Sequence, residues 1–153
     1  MCTLAVFREL HARYPLVVAA NRDEFYARPT LAPALLEEPA GVQAGIDLEA
    51  GGTWLGLRRV PRPMIAGLLN RRLESFPPEP RSAEQRSRGL LCLDALAEES
   101  LERALAGVQA QDLGRYQSFN LLLADAGRAV VVDNASGQGL RITEVGRGLS
   151  VLT

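Results

Sequence analysis

The order in which the apolar segments change their period limits this chain more than any other feature. Strand-length apolar runs open it, at residues 2–7 (Cys-Thr-Leu-Ala-Val-Phe) and 16–20 (Leu-Val-Val-Ala-Ala), and recur at 54–58 and 64–69. Two stretches with a helical repeat follow. Ser82 and Gln85 have the spacing of a capping box ahead of Leu90, Leu91, Leu93, Ala95 and Leu96; Ser100 caps a second stretch through Leu101, Ala104, Leu105 and Val108. Strand-length runs return at 119–123, 129–132 and 140–142 and from 149 onward, with turns at Gly127 and across 134–137. Strands, two helices and strands again define an α+β domain. Its first two strands form a hairpin through the polar link at 9–14, and Pro61 and Pro63 turn the third strand into the fourth. Residues 27–53 are rich in proline and glycine and read as a long irregular segment, which in compact domains is commonly functional.

A length of 153 residues suits a single domain over residues 1–153 with a substantial core. Residues 148–153 read as an apolar strand with neither cap nor polar tail. Such a strand leaves an open sheet edge. It implies either pairing with a second copy or a natural chain that continues past Thr153, with the domain incomplete at its C-terminal end. The net charge of −1 supplies no field to recruit nucleic acid or an anionic membrane. No run approaches the ~20 apolar residues that span a bilayer, and Arg8, Glu9, His11 and Arg13 interrupt any signal-peptide core. The expected location is therefore cytoplasmic, where Cys2 and Cys92 stay thiols. Two distant cysteines and a single histidine, His11, give no metal-ligand set, and no phosphate-binding glycine loop is present. No metal or cofactor is expected.

Cys2 carries the most distinctive chemistry. Removal of the initiator Met before a small second residue leaves a thiol and a free α-amine on one carbon. Their reference pKa values, about 8.5 and about 7.7–8.0, let the amine take the thiol proton near neutral pH without a histidine. An adjacent arginine favours the thiolate, and an acid could anchor the ammonium. Asn21-Arg22-Asp23-Glu24, at the end of the strand paired with the first, offers both. The plain alternatives are a small apolar residue at a strand start and a solvated polar turn. Asn70 ends an apolar strand and could donate to an oxyanion, or simply be a polar strand end. In Gly51-Gly52-Thr53-Trp54 the glycines permit close backbone approach to a ligand and Trp54 could wall a pocket; a turn followed by a core aromatic is the alternative. Cys92 lies on an apolar helix face and reads as core, and His11 as an exposed turn residue.

Together, Met1-Cys2-Thr3-Leu4, Ala20-Asn21-Arg22-Asp23-Glu24-Phe25, Arg28-Pro29, Ala44-Gly45-x-Asp47, Gly51-Gly52-Thr53-Trp54-Leu55-Gly56 and Phe119-Asn120-Leu121 resemble the NRDE family, that of the transport-and-Golgi-organisation protein two. The resemblance implies a four-layer αββα sandwich of the N-terminal-nucleophile hydrolase type, similar to the choloylglycine hydrolase and penicillin V acylase group. It implies a cysteine amidohydrolase acting on a non-peptide C–N bond of a linear amide. Cys2 would be the nucleophile, Arg22 and Asp23 would set its charge state, Asn70 would hold the oxyanion, and Asn21, Glu24, Thr53 and Trp54 would contact substrate. The alternative it carries is a non-catalytic carrier of haem or an acyl lipid in the same cleft. Three departures stand out. Arg22 and Asp23 are adjacent, so on a regular strand they face opposite ways, and either a bulge or Glu24 must supply the amine anchor. Leu69 replaces the usual Thr before Asn70. Further asparagine and arginine groups of the acylase pattern would fall beyond Thr153.

Overall fold

The structure, a computed structural model, describes residues 2–71, 85–134 and 139–153. A period of two builds the N-terminal hairpin of β1 (Thr3–His11) and β2 (Tyr14–Asn21): Leu4, Val6 and Arg8 face inward and their neighbours outward. The link expected at 9–14 shrinks to residues 12–13, because β1 runs on to His11. It does so through a register shift between Arg8 and His11, where Glu9 takes a φ of +54°. Arg8 stabilises this end of the sheet by donating to the carbonyls of Val145 and Gly127.

The segment expected to be irregular contains two strands, β3 (Thr30–Leu35) and β4 (Val42–Asp47). Their prolines sit where a missing N–H costs little. Pro33 lies at the register shift of the edge strand β3, and Pro39 in the connecting turn. An edge strand exposed at every position has no buried face to impose alternation, so its sequence carries no strand period. The sheet continues through β5 (Leu55–Arg58) and β6 (Met64–Asn70). Helix α1 (Arg88–Ala97) is capped by Ser87, whose Oγ accepts from the Gly89 N–H at 3.2 Å. Ser82 of the expected capping box lies outside the described residues, and Gln85 precedes the helix. Helix α2 (Leu101–Gln109) starts at the expected cap, Ser100, which accepts from the Arg103 N–H.

The remaining strands are β7 (Phe119–Ala124), β8 (Ala129–Asp133), β9 (Arg141–Glu144) and β10 (Gly148–Leu152). Asp125 closes the β7–β8 turn by accepting from the N–H groups of Gly127 and Arg128. The turn expected across 134–137 falls mostly outside the described residues.

Among the described residues all ladders are antiparallel and form two sheets: a seven-stranded sheet in the order β3-β4-β5-β6-β7-β8-β9, and a three-stranded sheet in the order β10-β1-β2. One face of the larger sheet packs on α1 and α2 through Val42, Ala66, Leu96, Leu105, Phe119, Leu121 and Val130. Its other face packs on the smaller sheet through Leu4 and Val6 against Leu69, Leu122 and Val131. The described layers are thus helices, sheet and sheet, a mixed α+β arrangement. β10 pairs with β1 along Leu4↔Leu152 to Arg8↔Gly148 and forms one margin of the smaller sheet. The outward face of that sheet exposes Val17, Leu149 and Val151. Arg58, under α1 at 2% exposure, holds a guanidinium with no hydrogen-bond partner among the described residues.

Candidate functional site

The start of β1, the end of β2, the loop from Asp47 to Trp54, the end of β6 and the start of α1 meet around one cavity of about 310 Å³. Cys2 opens into it. So do Asn21, Arg22, Glu24, Thr53, Trp54 and Asn70, all the residues singled out from sequence except Asp23. Pairing explains the convergence: Thr3 lies opposite Asn21, which sets the tetrapeptide beside Cys2. Leu4 and Cys2 reach β6 because the two sheets stack there on Leu69 and Gly67, with Leu4 lying over the bare Cα of Gly67.

The tetrapeptide divides its side chains. β2 ends at Asn21, so the strand alternation that separates Arg22 from Asp23 no longer applies in a regular form. Arg22 and Glu24 turn toward β4. The Arg22 Nη2 donates to Asp47 Oδ2 at 2.8 Å and lies 3.6 Å from Glu24 Oε2. Its guanidinium carbon lies 4.2 Å from the centroid of the Trp54 ring, a cation–π distance. Asp23 stays near Cys2: the Cys2 thiol donates to its carbonyl oxygen at 3.7 Å, and Asn21 Nδ2 donates to its Oδ1 at 2.6 Å. Asp23 meets Cys2 through its backbone carbonyl, while the Glu24 carboxylate belongs to the arginine cluster. The Arg22 guanidinium, expected to act on the thiol, hydrogen-bonds Asp47 and lines the same cavity as Cys2.

Asp47 organises this cluster. Its Oδ2 accepts from Arg22 Nη2 and, at 2.7 Å, from Arg28 Nε; its Oδ1 accepts from the N–H groups of Glu49 and Ala50, each at 3.0 Å. Burial works against its charge, but the bonds from Arg28, Ala50 and Glu49 prevail and hold its pKa below the ordinary carboxylate value. Arg28 is shifted upward, chiefly by its hydrogen bond to Asp47.

Of the two glycines before Thr53, Gly52 lines the cavity and also admits backbone. A Cβ on Gly52 would lie 2.1 Å from the carbonyl carbon of Gly89, and the Thr53 N–H donates to the Gly89 carbonyl at 3.0 Å. Gly51 turns the loop with a φ of +75°. Gly45 leaves room for Trp54, whose Cη2 would sit 2.9 Å from a Cβ there. Thr53 is buried and its hydroxyl donates to the Leu55 carbonyl at 3.0 Å, which commits it to shaping the wall. This crossing brings Arg86, Ser87, Arg88 and Gly89 into the lining, a contribution that no local pattern in the sequence announces. Arg86 is fixed by Asp94 and by the Tyr116 hydroxyl at 2.9 Å, and Arg88 donates to the Ser118 carbonyl at 2.8 Å. Asp47 and Arg28 belonged to recognisable motifs, but their pairing needed the fold to bring residues 21–28 against β4. Among the described residues no group of three or more His, Cys, Asp or Glu side chains could hold a metal ion. No described helix is long and apolar enough to cross a membrane.

A cysteine-bearing cavity at the junction of two stacked antiparallel sheets and a helix is the class of site this fold defines. The chain belongs to the Transport and Golgi organisation 2 family, whose sequence profile matches residues 1–152. It is 35% identical over 123 residues to the Transport and Golgi organization protein 2 of Drosophila melanogaster, covering 76% of this chain and 42% of that protein. It is 34% identical over 116 residues to the homolog from Bos taurus (73% and 39% covered) and 31% identical over 119 residues to that from Homo sapiens (76% and 41% covered). The matches thus span about two fifths of the length of these relatives.

Proposed function

We propose that this chain is the nucleophile-bearing part of a cysteine N-terminal-nucleophile amidohydrolase that cleaves a non-peptide C–N bond of a linear amide. The observation that supports it most is the position of Cys2: its thiol lines a cavity of about 310 Å³ together with Arg22 and Asn70. With Met1 removed, the Cys2 α-amine would take the thiol proton. The thiolate would add to the amide carbonyl, and the Asn70 amide would donate to the oxyanion. The C–N bond would break as the α-ammonium returns the proton to the leaving amine. Water, deprotonated by the same amine, would hydrolyse the thioester to a carboxylic acid and restore the thiol. The reading includes a four-layer αββα sandwich in a cytosolic protein.

The test measures amine release from a panel of N-acyl p-nitroanilides of graded acyl length, using chain whose intact mass shows Met1 removed. Turnover that disappears in Cys2→Ala and in chain retaining Met1 supports the reading. Equal turnover with and without Met1 sinks it.

A second reading, a carrier of haem or an acyl lipid, draws on a different observation: Arg22 is bonded to Asp47, and Leu4, Leu68, Leu69 and Trp54 give the cavity an apolar wall. It expects haemin or fatty-acid binding that is unchanged in Cys2→Ala, with no amide turnover.

A further inference from the structure

We propose that Asp47 is the positioning residue of the Cys2 site, the group that fixes where the Arg22 guanidinium lies in the shared cavity. The inference rests on reading Cys2 as a nucleophile that Arg22 assists across their shared cavity, and adds the residue on which that assistance depends.

Asp47 joins the segment after β2 to its own loop. Its Oδ2 receives Arg22 and Arg28 from the segment after β2. Its Oδ1 ties down the N–H groups of Glu49 and Ala50, and its backbone closes the loop, donating to the Gly52 carbonyl at 2.9 Å and accepting from the Gly51 N–H at 2.8 Å. Through Gly52 and Thr53 that loop is seated on the start of α1. The carboxylate is therefore held from one side by fixed backbone donors, and presents its other oxygen to the arginines at a set position.

An arginine side chain has many rotamers and a substantial ordering entropy. Here two contacts restrict Arg22 at once: the bond to Asp47 and the stacking on Trp54. Glu24 Oε2, at 3.6 Å from Arg22 and 3.9 Å from Arg28, is a weaker partner to both. Remove the charge at position 47 and the strongest restraint on Arg22 is gone, while the ring and Glu24 remain.

Two effects of that change on Cys2 have opposite signs. Deleting a nearby negative charge, taken alone, favours thiolate and speeds alkylation. Releasing Arg22 from its fixed position disfavours thiolate and slows it. Asp47→Asn separates them, since its carboxamide oxygen can still accept from Glu49 and Ala50 and so preserves the loop. The measurement is the pH profile of Cys2 alkylation by iodoacetamide on chain lacking Met1, followed by mass, in wild type, D47N, R22Q and the double variant. The expected result is a rate at pH 7 lowered about three- to tenfold in D47N and in R22Q, with no further loss in the double variant, because both changes remove one arrangement. Asp47→Glu keeps the charge on a longer stem. Its rate should fall between those of wild type and D47N, and it carries the test alone if D47N does not fold.

A slow R22Q with a D47N rate at or above wild type overturns the role of Asp47 and leaves the nucleophile reading standing. An unchanged profile in R22Q removes that reading, and this inference with it. A wild-type profile for D47E, where D47N cannot be measured, also overturns the role of Asp47.

Discussion

Gly52 and Gly89 cross so closely that a methyl group on the first would lie 2.1 Å from the carbonyl carbon of the second. The atoms in the way are backbone, of a residue in the first turn of α1, so no side-chain rotation relieves the clash. Gly52→Ala should cost about 3 kcal/mol of stability, at the upper end of ordinary overpacking. Urea unfolding followed by circular dichroism checks it; a loss below about 0.5 kcal/mol would mean that the loop and helix part easily.

Gly107 is the contrasting case. It lies inside α2, and a Cβ there meets nothing nearer than Glu98 Oε1 at 3.9 Å. Its glycine serves no close approach and carries only the helix penalty. Gly107→Ala should stabilise the protein by about 0.5–1 kcal/mol in the same measurement.

Arg58 should also be improvable. Its three guanidinium nitrogens are buried without a hydrogen-bond partner among the described residues, and burial lowers its pKa despite the more distant Glu99 and Glu98. Neither acid is in contact, so the desolvation cost is poorly offset. Arg58→Met keeps the length of the stem and removes the unsatisfied donors. It should raise stability by about 1–3 kcal/mol. A fall in the unfolding midpoint would show that Arg58 has a partner in solution.

These cases show why part of the molecule could be read in advance and part could not. β1 and α2 follow from alternation and helical repeat, because each has one buried face that dictates its pattern, while β6 to β8 read as continuous apolar runs because both of their faces are covered. β3 has no buried face, so Pro29, Pro33 and Pro39 dominate its appearance and hide the strand. The site divides in the same way. Cys2, Asn21 to Glu24, and Thr53 with Trp54 are conspicuous because unusual residue types cluster at strand ends. Arg86 and Arg88 reach the cavity only through the contact between Gly52 and Gly89, which joins segments far apart in the chain. Gly51 and Gly52 illustrate a related limit: sequence marks a close backbone approach but does not say what approaches.

The two cysteines should differ sharply in reactivity. Cys92 is fully buried in the layer between α1 and the large sheet, and burial pushes its thiol up to about 12. At pH 8 its thiolate fraction is then on the order of one in ten thousand. Cys2 lines the open cavity. Native protein treated with iodoacetamide at pH 8 should gain one adduct, on Cys2, and a second only after unfolding in urea. Prompt double labelling of native protein would contradict the packing around Cys92.

Acid should expose the charge on Asp47. Burial opposes ionisation there, but Arg28 and the N–H groups of Ala50 and Glu49 outweigh it, so the folded pKa lies below the reference value of 3.8. A carboxyl depressed on folding contributes stability that is present in full above its unfolded pKa and is lost as pH falls through its folded one. At pH 7 wild type should exceed D47N by about 1.5–3 kcal/mol, the usual worth of hydrogen bonds to a charged group. That gap should persist down to about pH 5, narrow once the pH falls below 3.8, and close as the folded carboxyl itself takes up a proton. Urea unfolding of both proteins at pH 7, 5, 3.5 and 2.5 follows it. A gap unchanged at pH 2.5 would mean that the shape of the Asp47 side chain, and not its charge, holds Arg22 and Arg28 together.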